Sequence, residues 1–355
     1  MHIPLNLLTL GTLSLSLLFL GSTTATTVHT KFQYRTNGTW LENLALGPAP
    51  APQDPNSTQT LLVTRMDVPE LWTIDISTGQ GEMVATFPNA TACMGVTPLA
   101  REGVYAVVAG RLQITDIGHP VPGSWGVYSV DLSGGSGSGA VSVRKIADVP
   151  GAGWLNGMTL SPAGRSGSGG KGEGEGGTGV VLMADSVNGV IWQLDTQTGT
   201  YGVALNDPAS MAASPADPLG LGVNGVRVWR GFVYYSTDAA QAVFRVPVGW
   251  DDALRAVRAA GAVETVAEKV VVDDFAVAED GGLYLMAVAE NQVVRVTADG
   301  RRSVLAGARD SALVAGCTSG VVSGDGRRLF VTTNGGHITP PQGREEPAKL
   351  VEIVL

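Results

Sequence analysis

Residues 223–246 read VNGVRVW, then RGFVYYSTD, then AQAVFRV. Three short runs of apolar and β-branched residues are parted by turns, the pattern of consecutive antiparallel strands. The same phrase returns at 156–195 as NGMTL, GVVLMADS and GVIWQLD, and at 273–296 as DDFAVA, GGLYLMAV and NQVVRV. A unit of three or four strands repeated around a centre is the signature of a β-propeller. The expected fold is therefore all-β.

Working outward, the repeat extends in both directions. Blade one begins at Glu42 (ENLAL), with further strands at 61–66 and 70–76; blade two begins at Met94 (MGVTPL), with strands at 103–109 and 126–132. Blade six begins at Cys317 (CTSGVV) and continues at 328–333 and 349–354. The count is six, with five or seven left open because blades one and two are the least regular. Residues 28–34 (VHTKFQY) form a strand with no hairpin partner of their own. Such an orphan is expected to complete the last blade and remove an exposed edge. The strongest helical candidate in the chain is 251–258. Residues 165–179 are a Gly- and Ser-rich low-complexity loop. The long loop 113–125, carrying His119, Pro120, Pro122 and Trp125, is a candidate cover for a ligand, with a plain surface loop as the alternative.

The formal net charge of −9 argues against nucleic-acid or anionic-membrane binding. Residues 3–20 are an apolar run followed by Thr23-Thr24-Ala25, which reads as a secretory leader over 1–25. Its first residues lack Lys and Arg, and an uncleaved anchor is the alternative. The expected mature protein is one soluble propeller domain over 26–355 on the secretory pathway. Three glycosylation tripeptides start at Asn37, Asn56 and Asn89. Cys93 and Cys317 precede equivalent blade positions, and a bridge between them and a pair of buried thiols are both open.

In a propeller the first residues of the innermost strands meet at one mouth of a central channel. Here those residues are Glu42, Met94, Asn156, Asn224, Asp273 and Thr318. Two carboxylates and two amides make an oxygen-rich set suited to a hard cation such as calcium. The alternative is that Asn-Gly and Asp-Asp are turns into each strand. Trp40, Trp72, Trp154, Met158 and Phe275 are apolar residues near blade starts, suited either to blade packing or to a greasy pocket. Arg65 is placed to reach Glu42, or to stand as a solvated edge residue. No histidine, cysteine or serine falls into a metal or nucleophile motif.

The phrases NGMTLSP (156–162), NGVRV (224–228) and DDFAVAEDGGLY (273–284) resemble the regucalcin, gluconolactonase and strictosidine-synthase-like six-bladed propellers. In the gluconolactonase branch, that resemblance implies a divalent metal, calcium or zinc, on Glu42, Asn224 and Asp273, with Asn156 on the substrate side. This chain departs from that pattern, with Glu42-Asn43-Leu44 in place of EGP and Asp273-Asp274-Phe275 in place of PDG. ENL, RMDVPELW (65–72) and DDFA together are similar to a fungal subgroup that includes the hetero-Diels–Alderases of tropolone-sesquiterpenoid biosynthesis. That resemblance implies a cofactor-free cycloaddition of a quinone methide with a sesquiterpene such as humulene, both small and largely apolar. Asn156 and Asn224 would then touch the quinone-methide oxygens, and Met94, Trp154, Phe275 and Thr318 would bind substrate. A metal-dependent lactonase and a non-catalytic ligand-binding propeller are the alternatives.

Overall fold

The computed structural model describes residues 26–48, 59–134, 141–161, 179–214 and 219–355. The leader, Asn56 and most of the low-complexity loop lie outside these residues. The repeats form six antiparallel sheets. Strand β1 (Val28–Gln33) precedes them. Blade one is β2 (Leu41–Leu46), β3 (Thr60–Arg65), β4 (Glu70–Asp75) and β5 (Gly81–Thr86). Blade two is β6 (Ala92–Pro98), β7 (Val104–Gly110), β8 (Gly126–Asp131) and β9 (Ser142–Asp148). Blade three is β10 (Leu155–Leu160), β11 (Val180–Asp185), β12 (Val190–Asp195) and β13 (Tyr201–Leu205), followed by the short helix α1 (Pro208–Met211). Blade four is β14 (Val223–Trp229), β15 (Phe232–Thr237) and β16 (Ala242–Asp251), with β17 (Ala256–Ala259) and β18 (Glu264–Glu268) both paired to β16. Blade five is β19 (Phe275–Val277), β20 (Leu283–Ala287), β21 (Gln292–Val296) and β22 (Arg302–Gly307). Blade six is β23 (Cys317–Val322), β24 (Arg328–Thr333) and β25 (Lys349–Val354), with β1 as its fourth strand.

Burial falls from the axis outward, and the sequence pattern follows it. Strands β7 and β11 are buried at every residue, because blades cover both of their faces. They read as continuous apolar runs rather than alternating ones. The outermost strand β9 (SVRKIAD) is exposed over its first four residues. Such half-covered strands carry little apolar signal, which is why the repeat read as three strands when four are present.

The ring closes as the orphan strand predicted. Strand β1 runs antiparallel to β25, from Val28 opposite Ile353 to Gln33 opposite Lys349. Inner strands neighbour each other in chain order, and β23 returns to lie beside β2. Arg65 serves this closure and does not reach Glu42. Its neighbour Thr64 accepts a bond from the Asn43 amide, so strand alternation turns Arg65 to the other face. There it pairs with Asp67 and with Glu70 at 3.0 Å, and its guanidinium lies 4.6 Å from the Tyr34 ring centre. Trp72 packs edge-on against the same Tyr34 at 5.5 Å, which places it in the outer clasp and away from the channel.

One further expectation is corrected and one open alternative is decided. Residues 251–258 are no helix; they form the turn and second strand of the β16–β17 hairpin. Val257 and Trp250 pair across it, and the hairpin is tied to blade three by Arg255 to Asp195 at 2.6 Å. Cys93 and Cys317 are both free and buried, so the thiol alternative holds. No helix among the described residues is long and apolar enough to cross a membrane.

Candidate active site at the channel mouth

The inner strands share one irregularity, and it builds the site. In five blades the ladder to the second strand skips two residues near the start of the inner strand, between the first and fourth residues in four blades, as at Val223 and Val226, and between Cys93 and Val96 in blade two. The skipped pairs are Glu42-Asn43, Met94-Gly95, Asn156-Gly157, Asn224-Gly225 and Thr318-Ser319. In blade five Asp273-Asp274 hold the same place ahead of β19, with Asp273 N–H bonded to Met286 O at 3.1 Å. A bulge frees backbone groups and re-aims a side chain. Hydroxyls of the second strands take up the freed amides. Ser236 accepts from Gly225 N–H at 2.8 Å and donates to Asp273 O in the next blade at 2.7 Å. Thr332 likewise accepts from Ser319 N–H at 3.2 Å and donates to Glu42 O at 3.1 Å across the ring closure. Gly157 and Gly225 are required for close approach: a Cβ on Gly225 would stand 2.2 Å from Asp274 Oδ1.

All six residues named from the sequence thus occupy equivalent bulge positions, and none is more than 8 % exposed. The six side chains are shielded from bulk solvent. Antiparallel strand order brings the second-to-third strand loops and the links between blades to this face.

Its two halves differ in chemistry. Trp40, Met66, Met94, Leu112 and Trp154 belong to one buried apolar cluster on the side of blades one to three. Blades four and five and Glu42 supply the acids. Asn224 Nδ2 donates to Asp273 Oδ1 at 3.0 Å and to Asp238 Oδ2 at 3.1 Å. Asp274 accepts from Arg227 at 2.5 Å and from Ser319 at 2.7 Å, forming a buried ion pair beneath the mouth. Burial pushes the Glu42 carboxyl up to about 8, against the pull of the Trp40 N–H, and Asp274 and Asp238 add to it by repulsion. Burial also raises the Asp273 carboxyl well above the usual carboxylate range, and the charge of Glu42 adds to it. Burial and mutual repulsion therefore hold Glu42 and Asp273 toward their neutral forms.

Blade three contributes the unpaired polar atoms. Trp154 Nε1 and Asn156 Oδ1 are buried without a hydrogen-bond partner among the described residues. The Asn156 amide nitrogen is engaged, donating to Ser186 at 3.3 Å. Trp154 is held rigidly from behind, its amide N–H bonded to Asp185 Oδ1 at 3.0 Å.

Other expected contacts are spent elsewhere. Phe275 lies in a separate cluster with Tyr234, Val272 and Leu283 between blades four and five, not with Met94 and Trp154. The Thr318 hydroxyl donates to Leu41 O at 2.7 Å across the closure. Met158 is in the apolar cluster of Met94 and Trp154. Trp125 is buried with its indole N–H on Gly153 O at 2.8 Å, so it anchors the long loop rather than capping it. Asp238 and Trp40 were missing from the six expected mouth residues. The signal for Asp238 was present in the quoted STD: it follows the strand residue that pairs with Val223.

Of the expected metal set, Asn224 and Asp273 are in direct contact at 3.0 Å. The Asn224 amide nitrogen stands between Asp273 and Asp238, where a cation would need an acceptor, and Glu42 Oε2 is taken by Trp40. Among the described residues no three His, Cys, Asp or Glu side chains gather in a way that could hold a metal ion.

Known proteins agree on the architecture. No family model matches the chain. A curated protein from a Phoma species, described as "Putative hetero-Diels-Alderase", is 24% identical over 314 residues, covering 84% of this chain and 84% of that protein. A luciferin-regenerating enzyme superposes with a TM-score of 0.60 at 13% identity, over 93% of this chain and 95% of its own. The calcium-binding protein regucalcin from Agrobacterium tumefaciens gives 0.54 at 16% identity, over 90% and 92% of the two chains. At these identities the two structures share the fold.

Proposed function

We propose that the protein is a hetero-Diels–Alderase, joining a quinone methide to a sesquiterpene such as humulene at the channel mouth. The observation that carries the reading is the pair on blade three: one donor, Trp154 Nε1, and one acceptor, Asn156 Oδ1, both buried beside an apolar cluster and unpaired among the described residues. An unmade buried hydrogen bond costs about 1–3 kcal/mol, so the site favours a guest that supplies the missing partners. The similarity to the Phoma protein supports the same reaction class.

The reaction asks for little else. The heterodiene O=C–C=C and the alkene exchange three π bonds for one π bond and two σ bonds, C–C and C–O. No proton, hydride or leaving group moves. Catalysis then consists of holding two apolar reactants in one orientation and polarising the heterodiene oxygen. Trp154 N–H is the polarising donor, Asn156 Oδ1 receives a neighbouring hydroxyl, and burial holds Glu42 and Asp273 toward their neutral forms. Asn224 contacts the second oxygen from the acidic side. The secretory route and glycans on the exposed Asn37 and Asn89 belong to the same proposal, and endoglycosidase treatment of secreted protein checks them by a mass shift.

Incubation of purified protein with a quinone-methide precursor and humulene tests the reaction. The expected result is a raised adduct yield with one stereoisomer dominant. A product mixture identical to the spontaneous one overturns the reading.

A further inference from the structure

The loop between β7 and β8 is built in two parts. Its base is tied down: Leu112 N–H bonds Thr91 Oγ1 at 2.9 Å, Thr91 donates back to Leu112 O at 2.6 Å, and Val121 N–H bonds Arg111 O at 2.9 Å. The tip, residues 113–120, differs. Its hydrogen bonds among the described residues stay within it: Asp116 N–H to Gln113 O at 2.9 Å, His119 N–H to Asp116 O at 3.1 Å, and the His119 ring to Asp116 at 2.6 Å. Ile114 and Ile117 are partly buried against the cluster that contains Trp40, Met94 and Trp154, and Pro120 is partly buried at the end of the tip. The neighbouring Gln113, Thr115, Asp116 and Gly118 are exposed. A self-contained turn, hinged at a fixed base and held down by two apolar side chains, is cheap to lift.

We infer that residues 113–120 form a hinged roof over the mouth, and that Ile114 and Ile117 are the contacts that select the apolar reactant. The inference rests on the proposed cycloaddition for the identity of that reactant. The mouth residues are shielded from bulk solvent in the closed state, so something must move before a guest reaches Trp154 and Asn156. This tip lies on the mouth face and is joined to the rest of the protein by dispersion alone. Closing over a terpene re-forms the same apolar contact with the guest and excludes water.

Amide hydrogen exchange with humulene alone, without the second reactant, is the test. Protection of residues 113–120 rises on addition, while the Leu112 base stays unchanged. In Ile114→Ser/Ile117→Ser the KM for humulene rises about ten-fold or more, as the loss of two apolar contacts dictates, and the KM for the quinone-methide precursor does not. Unchanged exchange of the tip, or equal changes in both KM values, overturns the roof. Humulene-dependent protection without adduct formation leaves the roof standing and removes the cycloaddition reading instead.

Discussion

Trp40 donates its indole N–H to Glu42 Oε2 at 2.6 Å, across the boundary between the apolar and acidic halves of the mouth. The same indole meets the His337 ring edge-on at 5.6 Å, so one side chain separates the cluster of Met94 and Trp154 from the charged rim. The bond favours the ionised form of Glu42, yet burial dominates and keeps the carboxyl high.

Stability should therefore depend on pH in a set direction. Glu42 moves from an ordinary 4.5 to about 8 on folding, so the folded protein holds more protons than the unfolded chain between those values. Stability contributed by the neutral carboxyl is complete below about pH 4.5 and is lost as pH rises through 8. Asp273 pushes the same way. Thermal unfolding at pH 5, 7 and 9 should show a falling midpoint. Glu42→Gln keeps an acceptor for Trp40 and should flatten that fall. A parent midpoint that rises from pH 5 to 9 contradicts the buried neutral acid.

Trp154→Phe separates the donor from the ring. The phenyl group retains most of the apolar contact, while the unpaired N–H disappears. Stability should change by less than about 1 kcal/mol, since no existing hydrogen bond is lost. Turnover should drop by about ten- to a hundred-fold through loss of the polarising contact, with the KM for the terpene little altered. Full activity in this variant removes Trp154 from the mechanism.

Calcium distinguishes the second chemistry. A metal seated on Glu42, Asn224 and Asp273 would raise the unfolding midpoint as its concentration passes its dissociation constant. The Asn224 amide already bridging Asp273 and Asp238 argues for no such rise. Titration of chelator-treated protein with calcium and with zinc, followed by thermal unfolding, should give a flat curve. A saturable increase would return the lactonase-type site to first place.

The fold was legible because blade periodicity is written in apolar strands and in turns, and β1 was legible because an unpartnered strand needs an edge. The mouth positions followed from aligning NG, NG and DD at strand starts. What the bulge does there was not legible. Its meaning depends on hydroxyls such as Ser236 and Thr332, which sit in a different strand and bond into a neighbouring blade. Arg65 was misplaced for a related reason: its strand face is set by Thr64 opposite Asn43. Residues 251–258 carried no alternating apolar signal, because the end of β16 and the strand β17 are only partly buried.

The ion pair beneath the mouth offers a last check on how the ring is held. Asp274 Oδ2 takes Arg227 and Ser319, while Oδ1 accepts the Phe275 N–H at 2.7 Å, and the carboxylate side chain is 2% exposed. Three blades, four to six, thus meet at one carboxylate. Arg227→Met should cost about 3–5 kcal/mol, because it strands a buried charge rather than merely deleting an attraction. Arg227→Met combined with Asp274→Asn should recover most of that loss, since the amide still accepts from Phe275 and carries no charge. The coupling between the two substitutions, read from denaturant unfolding of all four proteins, should exceed about 1 kcal/mol. Additive effects would mean that Asp274 is satisfied by its hydroxyl and amide partners alone, and that Arg227 is dispensable to the ring.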